Sequence, residues 1–423
     1  MLNQTPVSIN PKRPRKPTGR ETWYPFYAGF SQAFAEEMIK SAQLNSEATV
    51  LDPWNGSGTT TSTASAQGYR AYGFDINPVS VILAKGRNFP ISAAPSLKPL
   101  ARAILELRAD YEPSGSDPLD TWFVPTTSLR LRQIETGIRH LMVESIQPSC
   151  ISSLAAFFYI ALFRSTRDHL APLRLSNPTW IKRNSQNPKI TVPTVELDAS
   201  FLQHVERMQS TLAQEVSSET RVDAPCEIAI ASSEAIPLPP GSINYVLSSP
   251  PYCTRIDYGV ATMPELAILG FNSAHDLRLL RDSTIGTTTI KATTPIRDPE
   301  WGTTCLAFLD AVENHASRAS QSYYLKTHLQ YFSSIATSLA EISRCLAADG
   351  TCCLVVQDSH YKEVYNDLPG IFTEMGAHHG LQLTNRTDFS VDRNLAGIHA
   401  HARRYRSSSE ATETVLSFAK RTV

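Results

Sequence analysis

Three things are scarce in this chain. Cysteine is one: seven are scattered at positions 150, 226, 253, 305, 345, 352 and 353, an odd count with no C-x-x-C spacing. That pattern supports neither a disulfide framework nor a zinc site, and no metal is expected. Long apolar runs are another. No stretch of 18 or more apolar residues occurs and no hydrophobic signal core opens the chain, so neither a membrane span nor secretion is expected, and the cytoplasm is the default location. Net charge is the third: 39 Lys and Arg against 40 Asp and Glu leave −1. A chain so balanced meets a polyanion through a local patch and not through its overall charge.

What is present fills 423 residues, enough for one core domain enlarged by insertions, and 42% hydrophobic residues leave ample material for that core. Between Ser128 and Lys189 nine basic residues face three acidic ones, a local excess that includes Arg164, Arg167, Lys182 and Arg183. This is the expected nucleic-acid patch. The leader "PKRPRKPTGR" is basic and proline-rich and reads either as a flexible arm that touches phosphate or as a solubilising tail.

The stretch "ATVLDPWNGSGTTTSTASAQGYRAYGFDINPVSVILAK" (48–85) runs strand, Gly/Ser/Thr loop, small-residue helix, strand. That order opens a doubly wound α/β sheet, so the expected fold is Rossmann-like with a mainly helical insertion. The chain divides accordingly: a flexible basic arm at 1–20, the first part of the core with the cofactor site at 21–90, and a helical insertion, read as target recognition, at 91–220. The core resumes at 221–260 with "CEIAIA" and "INYVLSS", apolar runs suited to strands buried on both faces. Residues 261–320 read as a second, irregular insertion, and 321–423 close the core with "HLQYFSSIATSLAEISRCLAADG" as a helix stopped at Asp349-Gly350, then the strands "TCCLVVQDS" and "ETVLSFAK".

Asp52 closes the first strand and a loop with glycines at 56 and 58 follows, which lets backbone N–H groups approach an anionic ligand. Asp75 ends the second strand, where an acid holds ribose hydroxyls. No G-K-[ST] follows the glycines, so the loop is not a P-loop; the pair reads as a nucleoside site. Past the end of a neighbouring strand stands Ser249-Pro250-Pro251-Tyr252. Two prolines remove two donors and stiffen the chain, leaving carbonyls as acceptors. A base's amino group is a poor nucleophile because its lone pair is delocalised, and acceptors at Ser249 and Pro250 favour its attacking form, while Tyr252 offers a stacking face for an extruded base.

"DPWNGSGTT", "GFDINP" and "SSPPY" together resemble the S-adenosylmethionine-dependent amino-methyltransferases of DNA, whose signatures read close to D-P-F-x-G-S-G-T and [ST/D/N]-P-P-[YFW]. "YPFYAGFSQAFAEEMI" sits where that family places a helix over the methionine end of its cofactor. The resemblance implies S-adenosylmethionine as cofactor, held by Tyr27, Phe30, Asp52, Pro53, Trp54, Asn55, Gly56, Gly58, Thr59, Asp75, Ile76, Asn77 and Ser232. It implies Ser249 to Tyr252 as the catalytic loop, double-stranded DNA as substrate, and a restriction or anti-phage setting with possible partner proteins. Serine at position 249 is more typical of cytosine-N4 enzymes than the Asp or Asn of adenine-N6 enzymes, which makes N4 of cytosine the expected target. Trp54 departs from the usual phenylalanine, and Ser232 stands where an acidic residue is common. Adenine-N6 methylation, methylation of RNA and a non-catalytic binding subunit stay open as alternatives, as does the oligomeric state.

Arg255 and Tyr258 follow the catalytic loop and are expected at the crevice; Arg255 is placed against the nucleic acid or paired with Asp257. Pro225-Cys226 invites comparison with the Pro-Cys thiolate of C5-cytosine enzymes but lacks its partner motif, so a packing cysteine is expected there.

Overall fold

A computed structural model describes residues 8–12, 17–26, 29–107, 117–142, 151–175, 180–182, 188–216, 223–253, 257–271, 274–391 and 411–421. Tyr27, Arg183 and Arg255 lie outside the described residues.

A seven-stranded sheet organises the chain. Its strands are β1 Thr49–Asp52, β2 Arg70–Asp75, β3 Cys226–Ile230, β4 Ile243–Ser248, β5 Leu346–Gln357, β8 Leu381–Val391 and β9 Ala411–Lys420, in the order β3-β2-β1-β4-β5-β9-β8. The first five run parallel, and β9 is antiparallel to both β5 and β8. Two short strands, β6 Ser359–Tyr361 and β7 Val364–Asn366, pair separately. The order reverses at β1, whose neighbours are β2 and β4, so their loops open into one crevice at the carboxyl edge, where open α/β sheets bind ligands.

Both faces of the sheet are covered, and strand alternation decides which residue meets which layer. Val50, Tyr245, Leu247 and Val355 pack with Phe34 and Ile39 of α1 Gln32–Ser41. Leu51, Val246, Leu354 and Val356 face the other way, into the layer built by α11 Thr303–Glu313, α12 Leu325–Cys345 and α13 Leu368–His378. That is why apolar residues follow one another at Tyr245, Val246 and Leu247 of "INYVLS" instead of alternating with polar ones.

Helix α2 Thr59–Ala66 follows β1, and α3 Pro78–Arg87 follows β2. On the far side of α3 lie α4 Leu97–Glu106, α5 Pro125–Met142, α6 Ser153–His169 and α7 Thr194–Val216. Their apolar residues form one cluster with Val79, Ile82 and Leu83 of α3, so the helical segment shares its core with the cofactor unit.

Several expectations change. Residues 261–320 hold α9 Met263–Ile268, α10 Ala274–Ser283 and α11, after the single turn α8 Tyr258–Ala261, so the region is more helical than its Thr and Asp content suggested. Helix α12 stops at Cys345, where β5 begins, and Asp349-Gly350 falls within a register shift between β4 and β5. Strand β8 has no counterpart among the strands expected from sequence: "LQLTNRTDFSV" is an edge strand with polar residues, and edge strands carry little apolar signal. The leader is anchored at both ends of its described part. Ser8 binds the Glu37 carboxylate, and the buried Arg20 guanidinium donates to the carbonyls of Arg87 and Phe89 and pairs with Glu215.

Candidate active site

The glycine loop folds back on β2. The Asn55 amide donates to the Phe74 carbonyl at 2.9 Å and Gly58 N–H to the Asn55 carbonyl at 2.7 Å. Gly58 sits at φ +83, and a Cβ there would lie 2.7 Å from the Ala84 Cβ, so the close approach of α2 to α3 requires glycine. Gly73 serves likewise: a Cβ would fall 2.4 Å from Asn55 Nδ2, so its absence lets the Asn55 side chain tuck against β2.

Two carboxylates mark the ends of β1 and β2. Asp52 is buried and accepts from Ser248 Oγ at 2.5 Å and the Trp54 amide at 3.1 Å; burial pushes it up to about 6, against those bonds and one from Thr60. Asp75 accepts from the Gly56 amide at 2.9 Å through one oxygen and the Asn77 amide at 2.8 Å through the other. Burial raises it to about 6 as well, opposed by these amides and Ser80.

At the end of β4, Ser249 Oγ donates to the Val355 carbonyl at 3.1 Å. Its hydrogen is therefore committed to β5, and its lone pairs are what it can show a ligand. Tyr331 donates to the Pro251 carbonyl at 2.9 Å, fixing the loop. Among the described residues nothing donates to the Pro250 carbonyl.

These elements line one open cleft with about 960 Å³ of space, part of it continuous with solvent. Phe30, Asp52, Pro53, Trp54, Asn55, Gly56, Thr59, Asp75, Ile76, Asn77, Ser232 and Ser249 to Tyr252 all line it, so most of the residues named from sequence converge. Gly58 is not in the wall; it acts on the loop's shape. Asn77 reaches the cleft, but its side chain is engaged elsewhere, capping α3 at Val79 N–H and donating to Thr262 Oγ1 at 3.0 Å.

The wall also contains residues that sequence reasoning did not assign to the cofactor: Phe26, Ser80, Tyr258 and Ser283 to Ile285. Phe26 belongs to the quoted "YPFY" run. The 283–285 segment carried no motif; it arrives by tertiary folding, and Gly286 beside it is so close that a Cβ would stand 2.9 Å from the Tyr252 carbonyl oxygen.

The residues present fit S-adenosylmethionine. Among the described residues Asn55 Nδ2 is buried without a hydrogen-bond partner, a donor that a cofactor's carboxylate or carbonyl would satisfy. Phe26, Phe30, Trp54 and Ile76 give apolar surface around it.

The nucleic-acid residues fare differently. Arg167 does not face solvent: it is buried, its Nε 2.5 Å from Glu265 Oε1 and its Nη2 2.8 Å from Oε2, and it also donates to the Ala261 carbonyl. Arg130 and Arg132, counted in the same positive balance, are likewise buried against Asp198 and Asp117. A pairing partner 98 positions away, as for Arg167, cannot be seen in a local charge count. Arg164 is half-buried and Lys182 exposed. Asp257 pairs with Arg281 at 2.7 Å. Burial pushes the Cys226 thiol up to about 12, which rules out a ready thiolate there. Among the described residues no three metal-ligating side chains converge, and no helix is long and apolar enough to cross a membrane.

Residues 6–85 match the N6/N4 methyltransferase family model, described as DNA methylase. The chain is 26% identical over 296 residues to the type II methyltransferase M.BsoBI of Geobacillus stearothermophilus, covering 63% of this chain and 55% of that relative. It is 27% identical over 190 residues to the type II methyltransferase M.MvaI of Kocuria varians, covering 41% of this chain and 38% of the relative. The chain thus spans about half or less of the curated relatives it matches. A TehB-like SAM-dependent methyltransferase structure from Corynebacterium glutamicum overlaps 92% of this chain and 88% of its own at 10% identity, with a TM-score of 0.28, too slight a likeness to carry an argument. On the sequence matches, this chain is similar to the N6/N4 DNA methylases over residues 6–85 and to type II methyltransferases over part of their length.

Proposed function

We propose that the chain transfers a methyl group from S-adenosylmethionine to the exocyclic N4 of a cytosine turned out of duplex DNA, as the modification activity of a restriction or anti-phage system. The observation that carries this reading is the Ser249 hydroxyl, whose hydrogen is spent on the Val355 carbonyl at the mouth of the cofactor cleft. A hydroxyl so held accepts. It takes an N–H of the target amino group, and the Pro250 carbonyl takes the other, drawing the nitrogen toward the pyramidal form that can attack.

Bound S-adenosylmethionine supplies a methyl carbon made electrophilic by its sulfonium. Asp75 holds the ribose hydroxyls, Asn55 and the loop amides the methionine end, and Ile76 and Ser232 flank the adenine. Tyr252 stacks on the extruded base, and the Tyr331 bond to Pro251 keeps that plate in place. Both relatives are type II methyltransferases, which supports the restriction setting.

Labelled cofactor incubated with the purified chain and random duplex DNA, followed by digestion to nucleosides, tests the reading. Label in 4-methylcytosine is expected. Label in 6-methyladenine overturns the choice of base, label accepted only by structured RNA overturns the choice of substrate, and no label with any substrate points to a binding subunit.

A further inference from the structure

Tyr252 is gripped from outside the cleft by residues that the reaction above does not use. Lys12 Nζ lies 4.4 Å from the centroid of the Tyr252 ring, in cation–π position. The same ammonium sits 3.2 Å from Glu413 Oε1 and 2.9 Å from Gln357 Oε1. Gln357 and Glu413 are a directly opposed cross-strand pair of β5 and β9, so sheet register sets the two acceptors side by side. Gln357 follows Val355, the acceptor of Ser249, by two residues and therefore lies on the same face of β5. Glu413 is almost wholly buried, burial raises its carboxyl above the usual range, and the Lys12 ammonium and the neighbouring Tyr252 hydroxyl oppose that rise. Tyr252 lines the cofactor cleft and Lys12 does not, so the ammonium backs the ring.

The segment bearing Lys12 is fastened independently. The Lys12 amide donates to Asn10 Oδ1 at 2.9 Å, Ser31 N–H donates to the Pro11 carbonyl at 3.0 Å, and Ser8 Oγ to Glu37 Oε1 at 2.9 Å. Two of these bonds tie the leader to α1 and its cap. Such fastening lowers the entropy of placing a long lysine at one spot.

We propose that Lys12, Gln357 and Glu413 form a clamp that positions Tyr252 as the stacking plate, which makes the N-terminal segment a working part of the target-base site. This rests on the reading of Tyr252 as that plate. Lys12 is a positioning residue: it acts through Tyr252. An aromatic ring free to rotate presents its face to an extruded base only part of the time, and the clamp removes that freedom.

The test uses the full chain with Lys12→Met, Lys12→Arg and Glu413→Gln, and two readouts. Hydrogen exchange of the backbone amides at 247–249 and 252–253, measured without DNA, reports the clamp whatever the substrate is. Lys12→Met and Glu413→Gln are expected to speed that exchange, and Lys12→Arg, which keeps the cation over the ring, to restore it. In methyl transfer to duplex DNA, Lys12→Met is expected to lower kcat about tenfold with KM for the cofactor within about twofold, and Lys12→Arg to recover most of it. Unchanged exchange in Lys12→Met, or unchanged kcat in a chain that methylates DNA, overturns the clamp. If the unaltered chain methylates no DNA but exchange responds as stated, the clamp stands and the functional reading falls.

Discussion

Buried charge is handled in opposite ways at the two ends of α3. At its N-terminal end, the cleft, Asp52 and Asp75 are held where burial raises both to about 6, and Asn55 Nδ2 has no partner among the described residues. In the helical segment packed on its far side, each buried arginine is matched: Arg130 with Asp198, Arg132 with Asp117, Arg167 with Glu265. Groups left short of partners mark a place where something binds, and groups completed by one another mark structure. Three of the nine basic residues in that segment's positive balance therefore belong to its interior, while Arg174, Lys182 and Lys189 stay exposed.

The largest effect expected from breaking this contrast is Arg167→Ala. It leaves Glu265 buried without its partner and should cost about 3–5 kcal/mol, read as a lower midpoint in urea unfolding. Ser249→Ala comes next, with a fall in kcat of about a hundredfold and cofactor affinity nearly unchanged in calorimetry, because an acceptor used in the transition state is lost. A comparable loss of cofactor affinity would place Ser249 in the cofactor site instead.

Third is the pH dependence of the carboxylates. Asp75 must be ionised to accept from ribose hydroxyls, so cofactor affinity should weaken as pH falls through about 6, and Asp75→Asn should bind weakly with a much flatter profile. Stability of the ligand-free fold runs the other way. With folded values near 6 above an ordinary 3.8, Asp52 and Asp75 bind protons more tightly when folded, so their contribution favours the fold below about 4 and is lost as pH rises through about 6. Asp52→Asn should remove part of that slope in unfolding measured from pH 4 to 7.

The smallest effect belongs to the surface. Lys182 is exposed, and Lys182→Ala should change stability by no more than about 0.5 kcal/mol. If it meets phosphate, the salt dependence of DNA binding should drop by about one unit of log–log slope. An unchanged slope would move the DNA interface away from this part of the helical segment.

The convergence of the glycine-loop residues on one cleft was legible because its requirements are local. Asp52, the two glycines and Asp75 sit within 24 consecutive residues, and each is dictated by a turn, a close approach or a strand end. Tyr258 was expected at the crevice from its place after the catalytic loop, whereas the 283–285 segment enters the wall by packing alone. Arg167 misled because its partner, Glu265, is remote in the chain.

By itself the sequence determined the strand, loop, helix and strand that build the nucleoside end of the cleft, and the stiff Ser249 to Tyr252 loop, because backbone conformation and apolar periodicity are set by neighbours a few residues apart. Only the tertiary structure decided which charges are exposed, what Ser249 does with its hydrogen, and that Lys12 reaches Tyr252. Those are matters of pairing across the sheet and between layers, where residues hundreds of positions apart come within 3 or 4 Å and local chemistry carries no trace of the partner.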